Sequence, residues 1–206
     1  MSVMNRIVSA CLPLVALVAC STQTEVVKMY EDAAVGDTRY EHVLIVSVAS
    51  DVGQRRRLEE LITGHLGDAG VAATAAHTRI GLTPTILQDD IDSAARELSA
   101  DAILITHIVS VETSARRVEG RVDLVSECRG GDPVDYFLYD HREIKEPDSV
   151  RFAHTVVAVT NLYDVDTGRR MWTIQSTCFE KASMDEVLRE EATAIVRQLQ
   201  VDALIG

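Results

Sequence analysis

The succession of hydrophobic patterns predicts an α/β fold, a mixed sheet packed with helices in one domain spanning residues 41–206. Three observations carry that expectation. Residues 42–49 and 102–109 are two nearly unbroken apolar runs rich in Val and Ile, the signature of strands covered on both faces. Between them lie segments whose apolar residues recur at helical spacing, which makes the strands parallel neighbours joined by crossover helices. Past a stretch without periodicity, residues 152–179 alternate about a turn, and an amphipathic segment closes the chain. The predicted order is β-α-β-α-β, an irregular excursion over 112–150, a β-hairpin, then α.

Ahead of the domain, Arg6 precedes an apolar segment from Ile7 to Val18. The segment is shorter than the roughly 20 residues of a membrane-spanning helix and reads as a secretory signal. Its end, Leu17-Val18-Ala19-Cys20, resembles the lipobox of bacterial lipoproteins, where the cysteine thiol is diacylated, the peptide is cut before it and the new amino terminus is acylated. The resemblance implies a signal peptide over 1–19, palmitate-type acylation of Cys20, and attachment to a membrane through that residue. Ser21, in place of Asp, implies passage to the outer membrane and a domain facing the periplasm. Residues 20–40 are polar, with Gly36 and Asp37 as breakers, and read as a tether of at most about 65 Å. Acyl chains hold a protein lastingly only when more than one is present, so an anchored domain needs no membrane-binding face of its own.

Within the domain, the strand at 42–49 is followed by Leu58, Leu61, Ile62, His65 and Leu66 at the spacing of one buried helix face, ended by Gly67 and Gly70. Residues 71–77 form a weaker strand. Thr83 and Pro84 predict the start of a second helix, Thr as N-cap and Pro in the first turn, with Leu87, Ile91, Ala94, Ala95 and Leu98 inward. The third strand is 102–109. The excursion holds Gly120, Gly130, Gly131 and Pro133 and has no legible period. The hairpin turns at Asp164-Val165-Asp166-Thr167-Gly168, and Ser183 with Glu186 predicts a capping box that opens the last helix.

The lipobox, the β-α-β-α-β start, the Asp-x-x-Thr-Gly hairpin with its following Trp (Asp164, Thr167, Gly168, Trp172) and the final amphipathic helix resemble the small envelope lipoprotein domains grouped around the curli-secretion lipoprotein, the amino-terminal domain of the Tol translocation protein and the lipoprotein activators of penicillin-binding proteins. That resemblance implies a module that binds envelope proteins.

Composition narrows the chemistry. The net charge of −12, which becomes −13 once residues 1–19 with Arg6 are removed, makes the chain a poor candidate for nucleic acid or anionic lipid head groups, whose binding is dominated by Lys and Arg. The one basic cluster, Arg55-Arg56-Arg57, is followed by Glu59-Glu60 and reads as a solvated helix face. With Cys11 in the signal and Cys20 acylated, Cys128 and Cys178 remain in an oxidising compartment, and a disulfide between them is expected. It would close a loop worth about 4 kcal/mol in the chain-entropy model. No phosphate loop, nucleophile elbow or His-Glu-x-x-His occurs, and Asn161, Asp164 and Asp166 miss the spacing of a calcium loop. His42, His65, His77, His107, His141 and His154 are scattered, so no metal, cofactor or catalytic residue is predicted. Only 9 of the 206 residues are aromatic, yet three fall in Tyr136-Phe137-Leu138-Tyr139, which makes Tyr136, Phe137 and Tyr139 candidates for partner binding.

These readings predict a membrane-anchored, non-catalytic protein-interaction module of the bacterial cell envelope, serving assembly, transport or maintenance. Its partners are the membrane, through Cys20, and a periplasmic or outer-membrane protein. Two alternatives stand beside it: a small periplasmic enzyme or metal-binding protein using His107 and His154, and a subunit that oligomerises into a ring or pore.

Overall fold

The computed structural model describes residues 24–83, 85–120, 122–128, 139–145 and 147–206. A six-stranded mixed sheet, open and not closed into a barrel, is packed with four helices. In chain order the elements are β1 (Glu25–Glu31), a 3₁₀ turn (Val35–Asp37), β2 (His42–Val48), α1 (Val52–Asp68), β3 (Ala72–Ala75), α2 (His77–Ile80), α3 (Gln88–Glu97), β4 (Ala102–Val118), β5 (Val122–Cys128), β6 (Tyr139–Lys145), β7 (Ser149–Asp164), β8 (Arg170–Lys181) and α4 (Met184–Val201). The strand order is β1-β8-β7-β4-β2-β3, with β5 and β6 forming a separate two-stranded ribbon. β2 runs parallel to β3 and β4, as the crossover pattern requires, and every other pairing is antiparallel.

Alternate residues of the central strands face two apolar layers. Val43 and Ile45 of β2, Leu104 of β4, Leu162 of β7 and Trp172 and Ile174 of β8 meet Leu58, Ile62 and Leu66 of α1 and Leu188, Ile195 and Leu199 of α4. On the opposite face Leu44, Val46 and Ile103 pack on Ala94 and Ala95 of α3. This explains why β2 reads as a continuous apolar run: five consecutive residues from Val43 to Ser47 are buried.

Four elements differ from the sequence expectation. Residues 25–31, read as tether, form the edge strand β1, antiparallel to β8 from Glu25 opposite Thr177 to Glu31 opposite Trp172. Six of its seven residues are exposed, so no alternation betrays it. What fixes it is polar: the Lys28 ammonium lies 2.6 Å from the carboxylate of Asp202, which also accepts from Trp172 Nε1 at 2.7 Å. The second helix begins at Gln88, not at Thr83. Gly81 and Thr83 instead offer their carbonyls to the guanidinium of Arg55, which holds that segment outside helical geometry. The basic triplet is therefore not a solvated face throughout, because Arg55 is 3% exposed.

The excursion is also ordered as strand over much of its length. β4 and β7 stay paired from Ala102 opposite Asp164 out to Val118 opposite Ser149, and β5 pairs with β6 beyond them. Along β4 the residues from Val109 to Arg117 are exposed on both faces, which removes the burial period that a sequence pattern needs.

Turn and cap chemistry match the sequence closely. Asp164 Oδ1 accepts from the Thr167 backbone N–H at 2.8 Å and from its hydroxyl at 2.6 Å, and Gly168 takes φ +66°. Ser183 Oγ accepts from the Glu186 N–H at 3.2 Å, while the Glu186 carboxylate reaches the Ala182 N–H, one residue earlier than a regular capping box.

The buried carboxylate of Glu59 fixes the carboxyl ends of the parallel strands. One oxygen accepts from the Ser47 N–H at 3.0 Å and from Arg55; the other accepts from the His77 N–H at 2.8 Å and lies 2.7 Å from His77 Nδ1. Removing one member of a buried ion pair strands the other. Glu59→Ala is expected to cost about 3–5 kcal/mol, read as a lowered denaturant midpoint, with Glu59→Gln milder. At Asp202 burial alone raises the carboxyl, but hydrogen bonds from Lys28, Trp172 and Gln198 outweigh it and hold the group below the ordinary carboxylate range. A depressed carboxyl stabilises the fold above the unfolded pKa and stops doing so as pH falls through the folded value. Asp202→Asn is therefore expected to lower stability at neutral pH, and its difference from wild type is expected to shrink below about pH 4 in acid-unfolding curves.

Candidate functional site

Cover and sheet part company where β4 passes β2. β2 ends at Val48, opposite His107, while β4 continues through an irregularity between Ile108 and Ser110, still flanked through β7 by β8 as far as Thr113, and beyond it forms with β7 a two-stranded ribbon. At its root, Val156, Cys178 and Val187 close a small apolar cluster with Ile108 and Met184. Strand alternation carries that same face outward. Val111, Thr113, Ala115 and Arg117 stand opposite Val156, His154, Phe152 and Val150. Val111 is 44% exposed, Val150 56% and Phe152 54%, and Val109 at the irregularity is 56% exposed. The other face carries Ser110, Glu112, Ser114 and Arg116 opposite Val157, Thr155, Ala153 and Arg151. The first face, which also carries Thr113, His154 and Arg117, holds most of the exposed apolar side chains and continues the core under α4, and among the described residues no helix covers it.

Its far end is pinned by charge. Arg117 forms an ion pair with Asp148, whose other oxygen accepts from the Gly120 N–H at 2.9 Å. The Gly120 bond, followed by the Arg117 guanidinium, holds the Asp148 carboxyl below the usual range. β1 reaches the other end of the same feature. Glu25 lies opposite Thr177, Thr177 opposite Val157 and Val157 opposite Ser110, so the first residue of β1 is level with the root of the ribbon. Just before it, the Thr24 hydroxyl donates to Glu190 of α4 at 3.3 Å.

The residues singled out in the sequence fall unevenly on this picture. Cys20, Tyr136 and Phe137 lie outside the described residues. Tyr139 opens β6 opposite Cys128, at the outer end of the β5–β6 ribbon. The expected bridge from Cys178 is not formed: its thiol is free and buried between β8 and α4, 3.9 Å from Glu190, and the side chain of Cys128 lies outside the described residues. Burial pushes the Cys178 thiol up from its ordinary value. His107 and His154 sit on neighbouring strands but do not converge. His107 stands opposite Val159 and His154 opposite Thr113, a separation of five positions along β7, or about 17 Å. Among the described residues no three His, Cys, Asp or Glu side chains come together as metal ligands.

Two features escaped the sequence reading. One is a cleft of about 750 Å³ between α3 and the sheet, lined by Ile91, Ile103, Ile105 and Tyr163 with Arg96 at its rim. The other is Glu191, 1% exposed, which accepts from Ser176 Oγ and leaves its second oxygen without a partner among the described residues. Both Arg55–Glu59 and Glu191 occupy positions where the apolar stripe of a helix calls for a hydrophobe, and that was the available signal. Burial pushes the Glu191 carboxyl up to about 7. A raised carboxyl lets the fold keep its full stability while protonated and lose it as pH rises from the unfolded value of 4.5 through the folded one. Wild type is expected to lose a few kcal/mol between about pH 4.5 and 7, and Glu191→Gln is expected to flatten that slope in denaturant titrations.

No family model and no curated protein matches the chain. Among solved structures it is similar to a PelC dodecamer from Paraburkholderia phytofirmans, at 14% identity and TM-score 0.47, covering 89% of this chain and 99% of that one. It is also similar to the lipoprotein GNA1162 from Neisseria meningitidis, at 16% identity and TM-score 0.42, covering 78% of this chain and 98% of that one.

Proposed function

We propose that this chain is a lipid-anchored protein of the bacterial envelope whose folded domain works by contact and not by catalysis. The observation that carries the reading is Leu17-Val18-Ala19-Cys20 at the end of an apolar segment headed by Arg6. Ser21 favours the outer membrane, facing the periplasm. No helix among the described residues is long and apolar enough to cross a membrane, so Cys20 is the attachment this reading relies on. The uncovered ribbon supplies contact area beside the anchor, and the two histidines on which a metal or enzymatic reading depended stand five positions apart along β7.

Intact-mass analysis of the amino-terminal peptide tests the reading. The full chain expressed in a bacterium is expected to begin at Cys20 with acyl chains attached and to pellet with membranes. Cys20→Ala is expected to lose the acyl mass and the membrane retention. A wild-type chain beginning elsewhere, or at an unmodified Cys20, would overturn it.

A further inference from the structure

We propose that the apolar face of the β4–β7 ribbon lies on the lipid surface to which Cys20 is anchored, so that the domain rests on the bilayer instead of standing off from it. The inference depends on the lipid-anchor reading above.

Covalent reach is the first argument. The sequence alone allows a tether of some twenty residues, but the structure takes all but a few of them into the fold. Thr24 is already bonded to α4 and Glu25 is already paired with β8. Three residues separate Thr24 from Cys20, and the four steps between them span at most about 14 Å. The chain enters β1 level with Ser110, three positions before Thr113, where β8 ends beside β7 and the ribbon becomes two-stranded. From Ser110 to Val118 the ribbon extends about 27 Å at the usual rise per residue. It is twice as long as the segment that would hold the domain clear of the lipid, and both leave from the same end.

Side-chain chemistry is the second argument. Val111, Ala115, Phe152 and Val150 share one face with Thr113, His154 and, at its far end, the ion-paired Arg117, while Ser110, Glu112, Ser114, Arg116 and Arg151 share the other with Val157, Thr155 and Ala153. A two-stranded ribbon with one apolar and one polar face has the polarity of a segment lying in a membrane interface, its apolar side a few ångströms into the acyl boundary. Arg116 and Arg151 stand directly opposite each other. Like charges so placed disfavour the pairing in water, and phosphate groups at the edge of a ribbon two strands wide relieve that repulsion with charge-assisted hydrogen bonds. A second copy of this chain is the weaker occupant, since loss of Arg6 with residues 1–19 takes each anchored body from −12 to −13 and two such bodies repel, a charge that also favours zwitterionic over anionic lipid.

Photocrosslinking in bacterial envelopes tests the proposal on the full chain. A benzophenone amino acid in place of Val150 or Phe152 is expected to give a monomer-sized product that gains the mass of a phospholipid, and in place of Glu112 or Ser114 it is expected to give none. A dimer-sized product at Val150 and Phe152, a crosslink to another protein, or the absence of any lipid adduct there would overturn it. The mass of the amino-terminal peptide from the same sample reads the anchor separately. Acylated Cys20 without a lipid adduct sinks the ribbon contact alone, and unmodified Cys20 sinks the anchor.

Discussion

Helices and strands cover distance at different rates, and the shape of this protein follows from that mismatch. The 18 residues of α4 extend about 27 Å, whereas the 17 residues of β4 extend about 56 Å. Helices packed along such strands cover roughly half of their length. Where α1 and α4 lie beneath and α3 above, the strands bury side chains on both faces. Where the helices stop, β4 and β7 stay paired, with a side-chain bond between Thr113 and His154, and one of their two faces carries most of the exposed apolar side chains. The body and the ribbon are one pair of strands in two solvents.

Most of the body was legible in the sequence because it obeys simple periods. β2, the start of β4, the hairpin and α4 all pair a clear burial pattern with turn or cap residues that do what their chemistry dictates: Asp164 and Thr167 close the hairpin, and Ser183 caps α4. The illegible parts share one cause. β1 and the outer halves of β4 and β7 are exposed, and exposure erases the alternation that marks a strand. Their pairing is specified by partners some thirty or more residues away, and for β1 by β8 more than a hundred residues on, which no local window contains. The late start of α3 was hidden for a related reason, since the carbonyls that delay it are held by Arg55, more than twenty residues earlier.

The candidate site was less legible than the fold. Its elements were placed in an excursion without period, and the aromatic cluster that drew the eye lies mostly outside the described residues. The buried acids show what composition conceals. Glu59 is surrounded by donors from β2, α1 and α2, whereas Glu191 has one hydroxyl and a desolvated second oxygen. Two glutamates on two helices under one sheet thus sit in opposite environments, one compensated and one not, and only the geometry distinguishes them.

The edge position of β1 has a mechanical meaning. A pull applied along the axis of that strand, which lies antiparallel to β8, loads the pair in shear. Such a load is shared at once by the whole ladder from Glu25 to Glu31 and by the Lys28 contact to Asp202, whereas a pull across the strand would open the bonds one after another. The strand nearest the amino terminus is therefore seated in shear, the orientation in which a short sheet edge resists force best.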